Sequence, residues 1–234
     1  MRKWFQKNCL TVLLISVVGI LHAQKADSLL AKVRQKLLLV KDYQADAMMK
    51  LNVPFLQVPD SKVTVYFKQP DKFKIVQNKG VSIIPRGGVS INLPAMLEEK
   101  KSIAVDAGTA VINKESFRSV KLLPVDEAGD VILSTLYINP NTFLVKRITS
   151  TTKENGTYSI DFVYGKYINW ALPDELMLSF DTKNYKLPKG MTFDYEDEVK
   201  PDTTKTKNGR GEVKIVFEKY VINKGVSDSY FQRK

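Results

Sequence analysis

The fold is decided by the stretch KVTVYFKQPDKFKIV, which covers residues 62–76. Apolar and polar residues alternate along residues 62–68, as expected of a β-strand that buries one face. A turn is predicted at Gln69-Pro70-Asp71, and the alternation resumes with Phe73 and Ile75. The stretch therefore predicts two consecutive strands of a β-meander.

The same two-residue period fills most of the chain on either side of this stretch. The predicted strands cover residues 43–51, 62–68, 72–76, 131–138, 143–151, 158–167, 176–182, 191–199 and 211–222. Turn signals at Asn139-Pro140 and Asn155-Gly156 join two pairs of them as hairpins. Residues 80–124 are less regular, with a short helix or mobile flap predicted near Pro94–Lys101. The chain is thus predicted to be mainly antiparallel β-sheet.

A helix is predicted before the first strand, from Asp27 to about Lys41. Its apolar residues recur at helical spacing and are Leu29, Leu30, Val33, Leu37 and Leu38. A helix lying on a membrane surface has a similar pattern. One apolar stripe on a first helix more often packs on the chain's own sheet, and we favour that interpretation.

Residues 1–23 have the features of a secretory signal peptide: a basic start, the apolar run Cys9–Leu21 and a small residue, Ala23, at the end. The apolar run is well short of the ~20 residues needed to span a bilayer. Cys9 lies at the front of the run, unlike a lipid-attachment cysteine. We therefore expect cleavage, and export to the periplasm of one domain comprising residues 24–234.

The single Cys and the single His of the chain, Cys9 and His22, both lie in that leader. The exported part would lack thiolate nucleophiles, disulfides, Ser-His-Asp relays and ordinary zinc sites. We expect no enzyme, no metal and no cofactor. The densest remaining carboxylates are Asp194, Glu196, Asp197 and Glu198. A solvated charged edge explains them better than a glycosidase pair or a calcium site.

The chain carries a formal net charge of +11. Nucleic acid is not an expected partner, because an exported protein seldom meets it and no Arg-rich stripe is interleaved with aromatics. The charge favours transient contact with anionic membranes, with simple solubility as the alternative. The protein is expected to be a monomer.

The last predicted strand has apolar residues at both odd and even positions. One set comprises Val213, Ile215 and Phe217, and the other comprises Val216, Tyr220 and Ile222. A sheet that is apolar on both faces needs two coverings, and one helix can cover only part of one face. The remainder predicts a flap, sheet curvature or a ligand cavity.

Four segments together resemble the LolA/LolB lipoprotein-carrier superfamily. They are YQADA at 43–47, VYFKQPDKFK at 65–74, LYINPNTFLVKR at 136–147 and NKGVSDSYF at 223–231. The second is similar to the family's basic-x-Pro-x-x-Phe segment between two strands. The resemblance implies an α+β fold, an unclosed antiparallel β-barrel of about eleven strands wrapped over a few helices. It also implies an apolar cavity that accepts acyl chains.

In the family's carrier, the residue before the Pro is an Arg that ties the lid helices shut. Here that position is Gln69. An amide lacks the charge and the forked donors of Arg, so a more loosely held flap is expected.

The function that the resemblance implies is a periplasmic carrier or binding protein for lipoprotein acyl chains or other lipids in outer-membrane biogenesis. An outer-membrane receptor would be a further partner. The flap is predicted at Leu93, Met96 and Leu97. The predicted cavity lining comprises Val63, Val65, Phe67, Phe73, Ile75, Leu136, Phe162, Tyr164, Leu178, Phe180, Ile215 and Phe217.

An envelope sensor or interaction module of the same fold is the alternative, recognising lipoproteins or other proteins without transporting them. Its contact patch would be basic and would comprise Lys62, Lys68, Lys72, Lys74 and Lys79. Lysines on exposed strand faces also serve merely to keep a sheet soluble.

Overall fold

The computed structural model describes residues 26–53, 59–77, 93–98, 101–126, 128–154, 156–181 and 209–232. The predicted signal peptide lies outside these residues. So do the strand predicted at 191–199, the carboxylates of the same region, and Lys79.

Ten strands and two α-helices occupy the described residues. The helices are α1 (26–37) and α2 (Leu93–Met96), and two 3-10 helices cover Ile168–Trp170 and Asp228–Phe231. The strands are β1 (Asp42–Asn52), β2 (Ser61–Lys68), β3 (Lys72–Gln77), β4 (Ser102–Ile112), β5 (Glu115–Pro124), β6 (Val131–Ile138), β7 (Val145–Thr152), β8 (Thr157–Val163), β9 (Glu175–Asp181) and β10 (Arg210–Ile222).

All ten strands form one antiparallel sheet in the order β3-β2-β1-β10-β9-β8-β7-β6-β5-β4. Every neighbour pair is consecutive in sequence except β1 and β10, which are the third and fourth strands of this order. Strands β3 and β4 are the two edges of this order. An unclosed antiparallel sheet with few helices is therefore confirmed, while the predicted count of about eleven strands compares with ten in the described part.

The main core lies on one face of this sheet, which we call the inner face. From α1, Leu30 and Val33 are fully buried. They belong to one cluster with Val65 of β2, Leu136 of β6 and Ile160 of β8. The helix predicted from the apolar stripe thus packs on the sheet. Burying each such side chain stabilises the fold by about 1.5–3 kcal/mol.

Helix α1 ends four residues earlier than predicted. The amides of Leu39 and Val40 donate to the carbonyls of Lys36 and Leu37, both at 3.3 Å, so the chain tightens into a last 3-10-like turn. Leu38, expected on the apolar face, is consequently 61% exposed.

Strands β4 and β5 fall in the stretch whose pattern was too irregular to assign. Along β4, exposed and partly buried positions alternate, and the exposed ones include Ile103, Val105 and Val111. The register also shifts between Asp106 and Thr109, around Gly108. The more apolar side of β4 is thus its exposed side, and the partly buried positions are small or polar, which explains why the sequence did not reveal the strand.

The prediction that the last strand, β10, is apolar on both faces is wrong. Asp46 pairs with Lys219 but Ala47 pairs with Phe217, so Glu218 is an extra residue in β10. Beyond this bulge the parity reverses, and Tyr220 lies on the same inner face as Phe217. The sheet therefore does not have two equally apolar faces at β10.

Candidate functional site

A cavity of about 70 Å³ lies at the inner face where β1, β2, β3 and β8–β10 meet α1 and α2. Among the described residues, aliphatic and aromatic side chains make up its lining, and none of the lining residues is Asp, Glu, Lys or Arg. The lining comprises Leu37, Val40, Tyr43, Val65, Phe67, Phe73, Ile75, Leu93, Pro94, Phe162, Tyr164, Trp170, Ala171, Leu172, Pro173, Leu176, Ile215, Phe217 and Tyr220.

Eight of the twelve residues predicted to line a cavity lie around this one. They are Val65, Phe67, Phe73, Ile75, Phe162, Tyr164, Ile215 and Phe217. Val63, Leu136 and Leu178 do not line it and are buried in the core cluster. Phe180 is also buried, but it borders a separate polar depression with Arg147 and Arg210.

The predicted flap coincides with α2 and the residue after it. Leu93 lines the cavity, Leu97 is buried, and Met96 packs partly buried against the core. The Arg34 side chain of α1 donates from Nε to the carbonyl of Leu97 at 2.8 Å. The guanidinium of Arg34 thus joins α1 to the residue that directly follows α2.

Gln69 binds the segment between α1 and β1, not α2. Its Nε2 donates to the carbonyl of Val40 and its backbone amide donates to the carbonyl of Lys41, both at 2.8 Å. Val40 lines the cavity and stands between α1 and β1. The Gln69 amide therefore fixes the end of α1 relative to β2, while the hydrogen bond to α2 comes from Arg34.

A group of aromatic residues forms one wall of the cavity, and only Phe67 and Phe217 among them were predicted from the sequence to line it. The ring of Tyr220 lies 5.2 Å from Tyr43, 4.8 Å from Tyr167 and 5.0 Å from Phe217, measured between centroids. Tyr43 also stacks on Phe67 at 5.2 Å. Such pairs add about 0.5–1.5 kcal/mol each beyond their buried area. Tyr220 lies on this wall because of the bulge in β10, and the local sequence pattern does not predict that bulge.

The phenols in the lining are neutral. Burial raises the pKa of Tyr43, Tyr164 and Tyr220 well above the usual tyrosine range. The Tyr220 hydroxyl donates to the carbonyl of Pro173 at 2.8 Å, and that of Tyr164 donates to the carbonyl of Val145 at 3.0 Å. The cavity therefore suits a ligand without charge.

The basic patch of the sensor alternative is largely engaged by the C-terminal segment. Lys68 and Lys72 both contact Asp228, at 2.8 and 2.9 Å, and Lys74 donates to the carbonyl of Gln232. Tyr230 stacks on Tyr66 with centroids 4.3 Å apart. The outer face of β2 and β3 is thus covered by the chain itself.

Within the described residues, no three or more His, Cys, Asp or Glu side chains lie close enough together to share a metal ion. In the same part of the chain, no helix has the length and hydropathy that crossing a membrane requires.

No model of a known family matches the sequence, and no curated protein matches it. Solved structures do match. A DUF1329 family protein from Desulfovibrio piger aligns with a TM-score of 0.58 and 12% identity, over 90% of this chain and 97% of its own. A putative outer membrane lipoprotein-sorting protein domain from Vibrio parahaemolyticus aligns at 0.56 with 9% identity, over 89% and 97%.

A LolA superfamily protein from Nitrosomonas europaea aligns at a TM-score of 0.53 with 10% identity, covering 89% of this chain and 97% of its own. Nearly whole chains are superposed in all three alignments. The chain therefore has a LolA-like fold, as the four sequence segments indicated.

Proposed function

We propose that this chain is a periplasmic carrier or binding protein for lipoprotein acyl chains or other lipids, acting in outer-membrane biogenesis. The observation that supports it best is the cavity, whose lining in the described part of the chain is aliphatic and aromatic and includes no charged side chain. The LolA-like fold also supports the proposal, because one protein with a similar structure is a putative outer membrane lipoprotein-sorting protein domain.

The affinity would come from burial of methylene groups. Each methylene removed from water contributes about 0.8 kcal/mol, so a long acyl chain supplies on the order of 10 kcal/mol before the costs of binding. No catalytic group is needed for this, and the proposed role is not enzymatic.

The cavity as it stands is small. Its volume of about 70 Å³ is below the ~150 Å³ of an engineered apolar cavity that holds one benzene. An acyl chain would therefore enter only when the lining moves apart. The segment best placed to move is α2, which has four residues and is tied to α1 through Arg34.

The proposal includes processing after residue 23, a single domain over residues 24–234, and a monomer that delivers its cargo to an outer-membrane receptor. Organic extraction and mass spectrometry of the protein purified from its native envelope provide the test. We expect a stoichiometric acyl lipid and an N-terminus at Gln24. A lipid-free protein that also fails to bind a fluorescent fatty acid in solution would refute the carrier role and favour the sensor alternative.

A further inference from the structure

Exposed apolar side chains lie where the cavity reaches the surface. Trp170 lines the cavity and is 40% exposed, so the cavity comes to the surface beside it. Ile168, in the same 3-10 helix, is equally exposed. Leu37 lines the cavity from the α1 side, and the next two residues, Leu38 and Leu39, are 61% and 46% exposed.

Two contacts hold these segments at the same end of the sheet. The Asn223 side chain, just after β10, donates to the carbonyl of Leu39 at 2.9 Å. The Tyr167 hydroxyl, next to Ile168, accepts from the backbone amide of Tyr220 near the end of β10 at 3.4 Å. We call Leu38, Leu39, Ile168 and Trp170 the apolar rim.

Lysines accompany the apolar rim in the sequence and in space. Lys41, Lys166 and Lys224 are exposed, and none of them makes an ion pair with another described residue. The nearby carboxylates of Asp42 and Asp174 accept hydrogen bonds from the backbone amides of Gly225 and Lys166 and form no ion pair with the three lysines. The rim therefore combines exposed apolar groups with exposed, unpaired ammonium groups.

We propose that the apolar rim and its three lysines form a docking surface for an anionic lipid bilayer, which seats the mouth of the cavity on the membrane. A tryptophan with one apolar and one polar side is suited to the headgroup level of a bilayer. Lysines beside it are attracted by anionic headgroups. A few apolar side chains or a few lysines alone bind membranes weakly, and the combination gives reversible attachment.

Docking would provide a path for the ligand, because an acyl chain could pass from the membrane into the cavity without crossing water. Its purpose rests on the proposed function, but the docking itself can be measured separately. Another exposed apolar set, Ile103, Val105 and Val111, lies on edge strand β4. None of these three lines the cavity, so they supply a matched control.

The chain contains two tryptophans, Trp4 and Trp170. Protein exported and purified from its native envelope, carrying Trp4→Phe, therefore reports only on Trp170. We expect a blue shift of its emission with vesicles of phosphatidylglycerol and phosphatidylcholine, quenching by brominated acyl chains, and little change with pure phosphatidylcholine. The triple variant Leu38→Ser/Leu39→Ser/Ile168→Ser is expected to sediment with anionic vesicles about tenfold more weakly.

The variant Ile103→Ser/Val105→Ser/Val111→Ser is expected to bind vesicles like the parent, with circular dichroism confirming that both variants fold. Docking is overturned if Trp170 emission does not respond, if both variants lose binding equally, or if neutral vesicles bind as well as anionic ones. Fatty-acid binding without vesicles is measured in parallel. Its loss alone would refute the proposed function and leave the docking surface intact.

Discussion

At Gly211 a hydrogen atom is all that the fold accommodates as a side chain. Gly211 pairs with Phe180 across β9 and β10, and a Cβ there would lie 2.5 Å from two atoms of the Phe180 ring. Phe180 is buried, so its ring cannot move without disturbing its neighbours. Phe180 was predicted to line the cavity, but its ring packs over Gly211 instead. Alternation along β9 predicts the face on which Phe180 lies, but it does not predict that a glycine lies opposite.

We expect Gly211→Ala to lower the free energy of unfolding by about 1–3 kcal/mol, because the new methyl overpacks against Phe180. Gly129→Ala is the matched control, since its Cβ would meet nothing closer than 3.8 Å. That control should change stability by less than about 0.5 kcal/mol. Urea denaturation followed by circular dichroism measures both, and equal effects would contradict the overpacking argument.

The hydrogen bond from Arg34 to Leu97 makes a second prediction at the residue scale. Arg34→Gln removes a charged donor to the Leu97 carbonyl, worth about 1.5–3 kcal/mol. We expect faster amide exchange across residues 93–98, by about tenfold or more, and faster uptake of a fluorescent fatty acid. Hydrogen exchange by mass spectrometry measures the first and stopped-flow fluorescence the second.

Gln69→Leu is the control for this prediction. It removes the hydrogen bond to Val40 and leaves the one between Arg34 and Leu97 in place. Exchange across residues 93–98 should therefore stay at the parental rate. If Gln69→Leu accelerates exchange there as much as Arg34→Gln, then the junction between α1 and β1 governs α2, and Arg34 does not.

At the scale of elements, the sequence was most informative where one face of a strand is uniformly buried. The hairpin of β2 and β3 was predicted in full, because Val65 and Phe67 pair with Ile75 and Phe73 on the inner face. β4 could not be predicted, because its large apolar residues face solvent while its partly buried positions are small or polar. In β10, a single bulged residue reversed the parity of everything after it, and periodicity cannot detect an inserted residue.

Strand β3 offers a direct test of which face binds. Ile75 lines the cavity, while its neighbour Val76 points to the outer face opposite Thr64. Both are partly buried branched aliphatic residues, and both can be changed to Asp with the same change of charge. We expect Ile75→Asp to weaken fatty-acid binding by about tenfold or more, because it places an unpaired carboxylate against the acyl chain.

Val76→Asp should leave fatty-acid binding nearly unchanged. Circular dichroism and urea denaturation must confirm that both proteins are folded. Displacement of a fluorescent fatty acid provides the affinities. Equal losses in the two variants would mean that the ligand does not occupy the inner face beside β3.

At the scale of the whole molecule, the apolar site was foreseeable from the sequence but its small volume was not. Alternation along the strands predicted which side chains share a face, and eight of them meet at the cavity. The volume of the cavity depends instead on how α1 and α2 approach the sheet, through contacts such as Arg34 with Leu97 that are 63 residues apart. Contacts of that separation leave no trace in local periodicity.

A ligand that binds only the folded protein raises the free energy of unfolding of the whole chain. Fatty acid at about a hundred times its dissociation constant adds about 2.7 kcal/mol to the free energy of unfolding. For a chain of this size that is a rise in Tm of about 5–10 °C. We expect this rise, measured by scanning calorimetry, in protein first stripped of lipid.

The Ile75→Asp protein should show almost no rise under the same conditions, because its cavity no longer tolerates an acyl chain. Val76→Asp should rise like the parent. Since a cavity of about 70 Å³ must widen before it holds an acyl chain, Arg34→Gln should lower the Tm of the stripped protein while keeping or enlarging the rise on adding lipid. A rise of equal size in Ile75→Asp would show that the lipid stabilises the chain from a surface outside the cavity.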